Sequence, residues 1–144
     1  MVDLTDPEEY YTELGEEEWN RFKDSFKNKL EYVSTLDYLK EFLPDKGKVL
    51  DAGGACGRYS IWLAKRGYKV KLIDLTEEQL KIAERKIKEK RVSDRVEIEK
   101  GDIRNLDMDN DTYDAVLCLG GPLSHVMQEE ERRKAVKELK RVAK

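Results

Sequence analysis

The sequence predicts an α/β protein built on an open parallel sheet with flanking helices and a helical segment at its start. Two observations carry this. Short apolar runs alternate with stretches of helical periodicity from residue 48 onward, and the first run ends in a glycine-rich turn that leads into a helix. Strand–helix alternation of this kind gives parallel strands with right-handed crossovers. Ligands then bind at the carboxyl ends of the strands, where strand order reverses.

The elements follow in order. Residues 6–42 read as helical. Asp6 is a good cap before Pro7, which a first helical turn tolerates. Gly15 separates a short first helix from a longer stretch. Trp19, Phe22, Phe26 and Leu30 recur at spacings of three and four, and Val33, Leu36, Leu39 and Leu43 continue an apolar stripe. Pro44 and Gly47 end the helical region.

Residues 48–52 read as the first strand, 59–65 as the helix after it, and 69–75 as an alternating second strand. Thr76 and Gln79 form a capping box for the next helix, whose buried stripe is Leu80, Ala83 and Ile87. Residues 95–99 read as the third strand, with Val96 and Ile98 inward. Residues 113–119 are nearly all apolar and read as a fourth strand covered on both faces. A last helix spans 129–143, with Ala135, Leu139 and Val142 aligned, and no long helix joins strands three and four.

The chain has 144 residues, one domain on the usual size expectation and long enough to bury a core. Residues 1–44 form a helical cap and 45–144 the α/β core. Hydrophobic residues make up 39% and charged residues 41%, with a net charge of −3. No global basic field is available to hold nucleic acid. The abundance of Lys and Glu fits either a thermophile surface laced with ion pairs or a plainly soluble one. Cys56 and Cys118 show no secretory or metal-ligand spacing, so free thiols in a reducing cytoplasm are expected, with no metal. No apolar run reaches the ~18 residues of a membrane span.

The residues that carry chemistry begin with Val49 to Gly57, VLDAGGACG. Small residues follow an acid at every second position: Asp51, Gly53, Ala55, Gly57. Glycines here let a ligand approach the main chain. The dinucleotide fingerprint fails, because Ala55 and Arg58 stand where its second and third glycines belong. Asp74 follows Asp51 by 23 residues, at the end of the second strand, where an acid accepts hydrogen bonds from ribose hydroxyls. Asp102 directly follows the third strand, in GDIRNLD. The fourth strand runs into LGGPLSH, which holds His125, the only histidine.

Val49 to Gly57 resembles motif I of the class I methyltransferases that use S-adenosyl-L-methionine (SAM), whose sheet is Rossmann-like. Members usually carry glycine at the position of Ala55. The resemblance implies a cofactor site of Asp51, Ala52, Gly53, Gly54 and Gly57. It makes Asp74 the ribose acid with Leu75 against the adenine, Asp102 the partner of the adenine amino group with Ile103 beside the ring, and Leu119 a border of the methionine. Tyr11 is either a lid tyrosine over the cofactor or a core aromatic. Arg58 opens the helix after motif I and either reaches a carboxylate or, as the favoured reading, lies on the surface. His125 is either a general base for an acceptor hydroxyl or amine, or a solvated or capping histidine. The product would be S-adenosyl-L-homocysteine.

The family sheet has seven strands in the order 3-2-1-4-5-7-6, and the four found here give 3-2-1-4, a shortened version of that fold. Strand four then offers an apolar edge, which predicts a homodimer through it; the alternative is a fragment of a longer enzyme. The expected function is methyl transfer to a small-molecule acceptor, with a non-catalytic SAM-binding module as the alternative. The base-methylating motif of an acid or Asn followed by two prolines and an aromatic is absent, since Leu119 to Leu123 reads LGGPL.

Overall fold

A computed structural model describes residues 6–144. Helix α1 (Pro7–Leu14) starts where Asp6 accepts the backbone N–H groups of Glu8 and Glu9. It stops at Gly15, whose φ of +46° a side chain would resist. Next come α2 (Glu16–Asp24) and α3 (Phe26–Phe42).

The single long stretch expected after Gly15 is therefore two helices. Ser25 is extended, and its hydroxyl caps α3 at the N–H of Asn28, 3.1 Å away. The Asn28 side chain then donates to the carbonyl of Arg21 and closes the corner. This break undoes the predicted stripe, because periodicity counted across a turn does not stay on one face. Trp19 and Phe22 join the core, whereas Phe26 is 80% exposed and Leu30 and Val33 are also exposed. Of the continuation, Leu39 is buried and Leu36 and Leu43 are half-buried.

Strands β1 (Lys48–Ala52), β2 (Lys69–Asp74), β3 (Val96–Lys100) and β4 (Ala115–Leu117) form one parallel sheet in the order β3-β2-β1-β4. Helices α4 (Arg58–Ala64) and α5 (Glu77–Glu89) cover one face and α6 (Glu129–Val142) the other. The period of two in the strands sorts the core accordingly. Val49, Val70 and Leu72 pack toward α4 and α5, while Leu50, Ala52 and Ile73 pack toward α6.

β4 is shorter than the sequence suggested. Tyr113 pairs instead with Ala143 in an isolated bridge, and the ladder with β1 ends at Asp51 opposite Leu117. Beyond it the chain turns through Gly120 and Gly121, both at positive φ, into a 3-10 turn at Pro122–His125. Cys118 and Leu119 thus leave the sheet.

The helix-free link between β3 and β4 is held by α6. Arg141 donates to the carbonyls of Leu106 and Met108 and to the Asn110 side chain, and Glu138 accepts the Leu106 N–H at 2.9 Å. Both cysteines are free thiols. No helix among the described residues is long and apolar enough to cross a membrane.

Candidate functional site

A cavity of about 620 Å³ lies at the carboxyl ends of β1, β2 and β4, roofed by α1 and α2. Its floor is the turn after β1. The N–H groups of Gly53 and Gly54 both donate to the Ile73 carbonyl at the end of β2, at 2.8 and 3.2 Å, which ties the turn to the neighbouring strand. Gly53 has φ +74°, and a side chain there would overlap the Pro122 ring. A Cβ on Gly54 would lie 2.6 Å from the Asp51 carboxyl. Glycine at both positions is therefore required by close packing, and the β4 loop closes directly onto the turn through Pro122.

Asp51, the penultimate residue of β1, is buried and accepts the Ser60 hydroxyl at 2.7 Å. Burial lifts its carboxyl to about 6, against the Ser60 bond, which pulls it down. Asp74 ends β2. One oxygen accepts the Ala55 N–H at 2.8 Å and the other the Thr76 N–H at 2.9 Å. The carboxylate is thereby fixed at the cavity wall with lone pairs to spare.

The expected capping box does not form. Thr76 has the extended backbone of a cap but makes no side-chain cap bond. Its hydroxyl bonds to Asp74. Gln79 turns away, and its amide donates to the carbonyls of Tyr11 and Gly15 in the roof. A half-buried carboxylate and two half-buried carbonyls outcompete the local cap, because polar groups largely deprived of water must find partners.

Asp102 is held by Arg104, whose Nε lies 2.9 Å from both carboxylate oxygens and whose backbone N–H adds a bond at 2.8 Å. Burial works to raise the Asp102 carboxyl, but these bonds outweigh it and keep it below the usual range.

Two charged groups shape the far end. Glu18 and Arg21 of α2 pair at 3.1 Å, and Arg21 also reaches Glu31 of α3. Burial raises the Glu18 carboxyl against the pull of Arg21. Arg58 is not a surface residue. Its guanidinium lies 4.8 Å from the Trp19 ring, 5.2 Å from Tyr32 and 5.4 Å from Phe22, donates to the Trp19 carbonyl at 2.9 Å, and keeps a buried Nε without a partner.

Across the mouth, the Tyr11 hydroxyl of α1 lies 3.4 Å from Nε2 of His125 in the 3-10 turn, with the rings edge to face. Burial, then the charge of Glu18, lifts the Tyr11 phenol to about 12, so it keeps its proton at neutral pH.

Of the residues nominated from sequence, Tyr11, Asp51, Gly53, Gly54, Asp74, Leu75, Asp102, Ile103, Leu119 and His125 all border this cavity. Ala52 and Gly57 do not. Ala52 is buried in the core beneath α6, and Gly57 starts α4 packed on Leu72 and Ala83. Sequence reasoning missed Glu18, Arg21 and Phe22, which also border it. The available signal was an acid and an arginine three residues apart, interleaved with Trp19 and Phe22.

Residues 49–144 match the family model of the methyltransferase domain. YqeM of Bacillus subtilis (strain 168), a protein named for methyltransferase activity, is 28% identical over 121 residues, 84% of this chain and 48% of its own. A SAM-dependent methyltransferase from Aquifex aeolicus is 31% identical, with a TM-score of 0.64 over 76% of this chain and 57% of its own. A Methanococcus maripaludis structure described by the same activity shares the fold, with a TM-score of 0.75 over 93% of this chain and 60% of its own, at 21% identity. The chain thus spans about half the length of the curated relative it matches.

Proposed function

Because this chain belongs to the methyltransferase domain family, we propose that it binds S-adenosyl-L-methionine in the cavity over β1 and β2 and transfers its methyl group to a small-molecule acceptor. The observation that carries the reading is Asp74. It stands at the cavity wall at the end of β2, aimed by the Ala55 and Thr76 N–H groups, beside a turn with no side chain at Gly53 or Gly54.

The residues present fit the cofactor. The cavity wall carries seven carboxylates (Asp6, Glu8, Glu18, Asp51, Asp74, Asp102, Glu131) against three guanidiniums (Arg21, Arg58, Arg104). That surplus suits a ligand bearing a sulfonium and an ammonium against one carboxylate. Asp74 would hold the ribose hydroxyls, Leu75 and Ile103 would flank the adenine, Asp102 would face its amino edge, and Leu119 would border the methionine. When bound, SAM supplies a methyl group already activated by positive sulfur, and S-adenosyl-L-homocysteine is left.

The protein's work is then alignment and exclusion of water under the α1–α2 roof. His125 stands at the mouth, where it can take a proton from an acceptor hydroxyl or amine. A homodimer through the edge of β4 is part of this proposal; among the described residues β4 pairs with β1 at 115–117, and Tyr113 bridges Ala143. A monomer mass independent of concentration would overturn that part.

The test is calorimetric titration of the chain with SAM. Micromolar binding, lost on Asp74→Ala, is expected. A folded protein that shows no binding ends the reading, and binding without turnover across a panel of small acceptors would leave a cofactor-binding module.

A further inference from the structure

Helix α3 is apolar on both sides. Its inner side carries Tyr32, Leu36 and Leu39, which pack on the core. Its outer side carries Phe26, Leu30, Val33, Tyr38 and Phe42, each between 53% and 80% exposed. A helix that is apolar all round is normally covered all round, and an exposed apolar patch of this extent marks a contact. We propose that a second copy of this chain covers it, with α3 packed against α3 about a two-fold axis at Ser34. The inference stands apart from the cofactor reading and from the edge of β4.

Three observations single out a copy of the chain itself. Phe26, Leu30, Ser34, Tyr38 and Phe42 recur at every fourth residue and are all exposed, so they form one outward ridge. The ridge is symmetric about its middle: Leu30 and Tyr38 lie four residues from Ser34, and Phe26 and Phe42 lie eight. A two-fold axis beside Ser34 lays the ridge along its own copy, with Leu30 beside the partner's Tyr38 and Phe26 beside the partner's Phe42. Ridges of this spacing interdigitate when helices cross at about 50° with axes about 8–10 Å apart, and a residue as small as Ser34 at the crossing permits the close approach. Next, the charges complement one another in that arrangement. Lys27 and Glu41 stand seven residues either side of Ser34, on opposite flanks of the ridge, and both are exposed with no ion pair among the described residues. The two-fold brings each Lys27 to the partner's Glu41. The other mirrored charges, Glu31 and Asp37, are already held within the chain by Arg21 and Lys40. Finally, the area suffices. The five apolar side chains present on the order of 600 Å² per copy, taking about 150–250 Å² for a whole aromatic side chain. The flanking side chains bring this to the ~800 Å² per partner of a standard interface.

The contact bears on the cavity through the inner side of the same helix. Tyr32 stacks on Phe22 at 4.8 Å, and Glu31 accepts from Arg21 at 3.1 Å. Phe22 and Arg21 belong to α2 and border the cavity. α1 buries no residue and α2 only Phe22, so the roof has little apolar burial and low local stability of its own. Holding α3 between two copies steadies the helix that backs it.

Sedimentation equilibrium of the full chain over a concentration series tests this. A dimer at micromolar concentration is expected, or a tetramer if the edge of β4 also pairs. Leu30→Glu and Tyr38→Glu alter exposed side chains, and each counts twice across the two-fold, so each should weaken the α3 contact roughly 100-fold. Lys27→Glu and Glu41→Lys should each weaken it about tenfold, and the two together should restore it. Ser34→Cys should oxidise to a disulfide-linked dimer, because the crossing brings the two positions within the ~4.4–6.8 Å between Cα atoms that a disulfide spans. The unaltered chain, with Cys56 buried and Cys118 half-buried, is the control for that step. Circular dichroism checks that each variant is folded. A dimer indifferent to Leu30→Glu and Tyr38→Glu is held elsewhere and overturns the inference. A chain that stays monomeric overturns it too, and co-flotation of that monomer with phosphatidylcholine vesicles would assign the face to a membrane instead. Charge reversals that fail to rescue each other overturn the two-fold arrangement.

Discussion

The side-chain amide of Gln79 on α5 donates to the carbonyl of Tyr11 at 2.7 Å and to that of Gly15 at 3.1 Å, from a residue with no solvent exposure. The Tyr11 carbonyl also accepts the Gly15 N–H at 3.4 Å, whereas the Gly15 carbonyl lies just past the end of α1. One buried amide thus fastens the roof of the cavity to the body that carries the floor. Gln79→Leu keeps the volume and removes the donors. Leaving the Gly15 carbonyl unpaired costs about 1–3 kcal/mol. The loss should appear as faster amide exchange confined to α1 and α2, with the sheet unchanged. Exchange there at the rate of the unaltered protein would show that the amide does not hold the roof.

The contact between Tyr11 and His125 separates two roles for the histidine. If His125 takes the acceptor's proton, His125→Ala lowers kcat by roughly 10²–10⁴ while S-adenosyl-L-homocysteine affinity is retained. Tyr11→Phe, which removes only the hydroxyl near Nε2, should have a smaller effect. An unchanged kcat in His125→Ala would mean that alignment alone carries the transfer.

Asp51 makes stability depend on pH in a direction opposite to that of most carboxylates. Burial pushes its carboxyl up to about 6 in the fold, against 3.8 for the free side chain. The group favours the fold fully below pH 3.8, and that contribution is lost as pH rises through 6. A gap of about two pH units corresponds to roughly 3 kcal/mol. Asp51→Asn, which mimics the protonated form beside Ser60, should lose nothing over this range. Denaturation without cofactor should therefore show Asn gaining on Asp between pH 4 and 7, then a constant difference. A difference that stays flat with pH would place the Asp51 carboxyl at its ordinary value.

How much of this was legible in the sequence depends on how local each determinant is. β1 matched its expected bounds because an apolar run between Gly47 and Gly53 leaves no other reading, and Gly15 and Gly67 marked element ends for the same reason. The four-strand order followed from the motif resemblance and stands. The failures involve competition over distance. Thr76 and Gln79 spell a capping box, but Asp74 and the roof carbonyls claim their side chains. Arg58 looks like a surface residue until α2 and α3 bring Trp19, Phe22 and Tyr32 around it. The break at Ser25 stayed hidden because the spacing of Trp19, Phe22, Phe26 and Leu30 happened to continue across the turn.

Ala55 is where the sequence departs from its family's glycine, and the structure supplies a cost. It sits at φ +46°, in the left-handed region that a side chain resists, while its N–H holds Asp74 at 2.8 Å. For a residue with a Cβ that conformation costs about 1–2 kcal/mol. Glycine would remove the cost but gain about 0.4–1 kcal/mol of freedom in the unfolded chain, which opposes the benefit. The strain is the larger quantity, so Ala55→Gly should stabilise the protein by about 0.5–1 kcal/mol. In a chain of this size that raises Tm by roughly 2–4 °C. The backbone N–H survives the change, so the aim of Asp74 and the affinity for S-adenosyl-L-homocysteine should be preserved. A thermal melt and one titration decide it. A lower Tm would mean that the methyl group packs well enough to offset the strain, and a large loss of affinity would mean that the stiffness of this alanine, rather than its N–H alone, keeps the ribose acid in place.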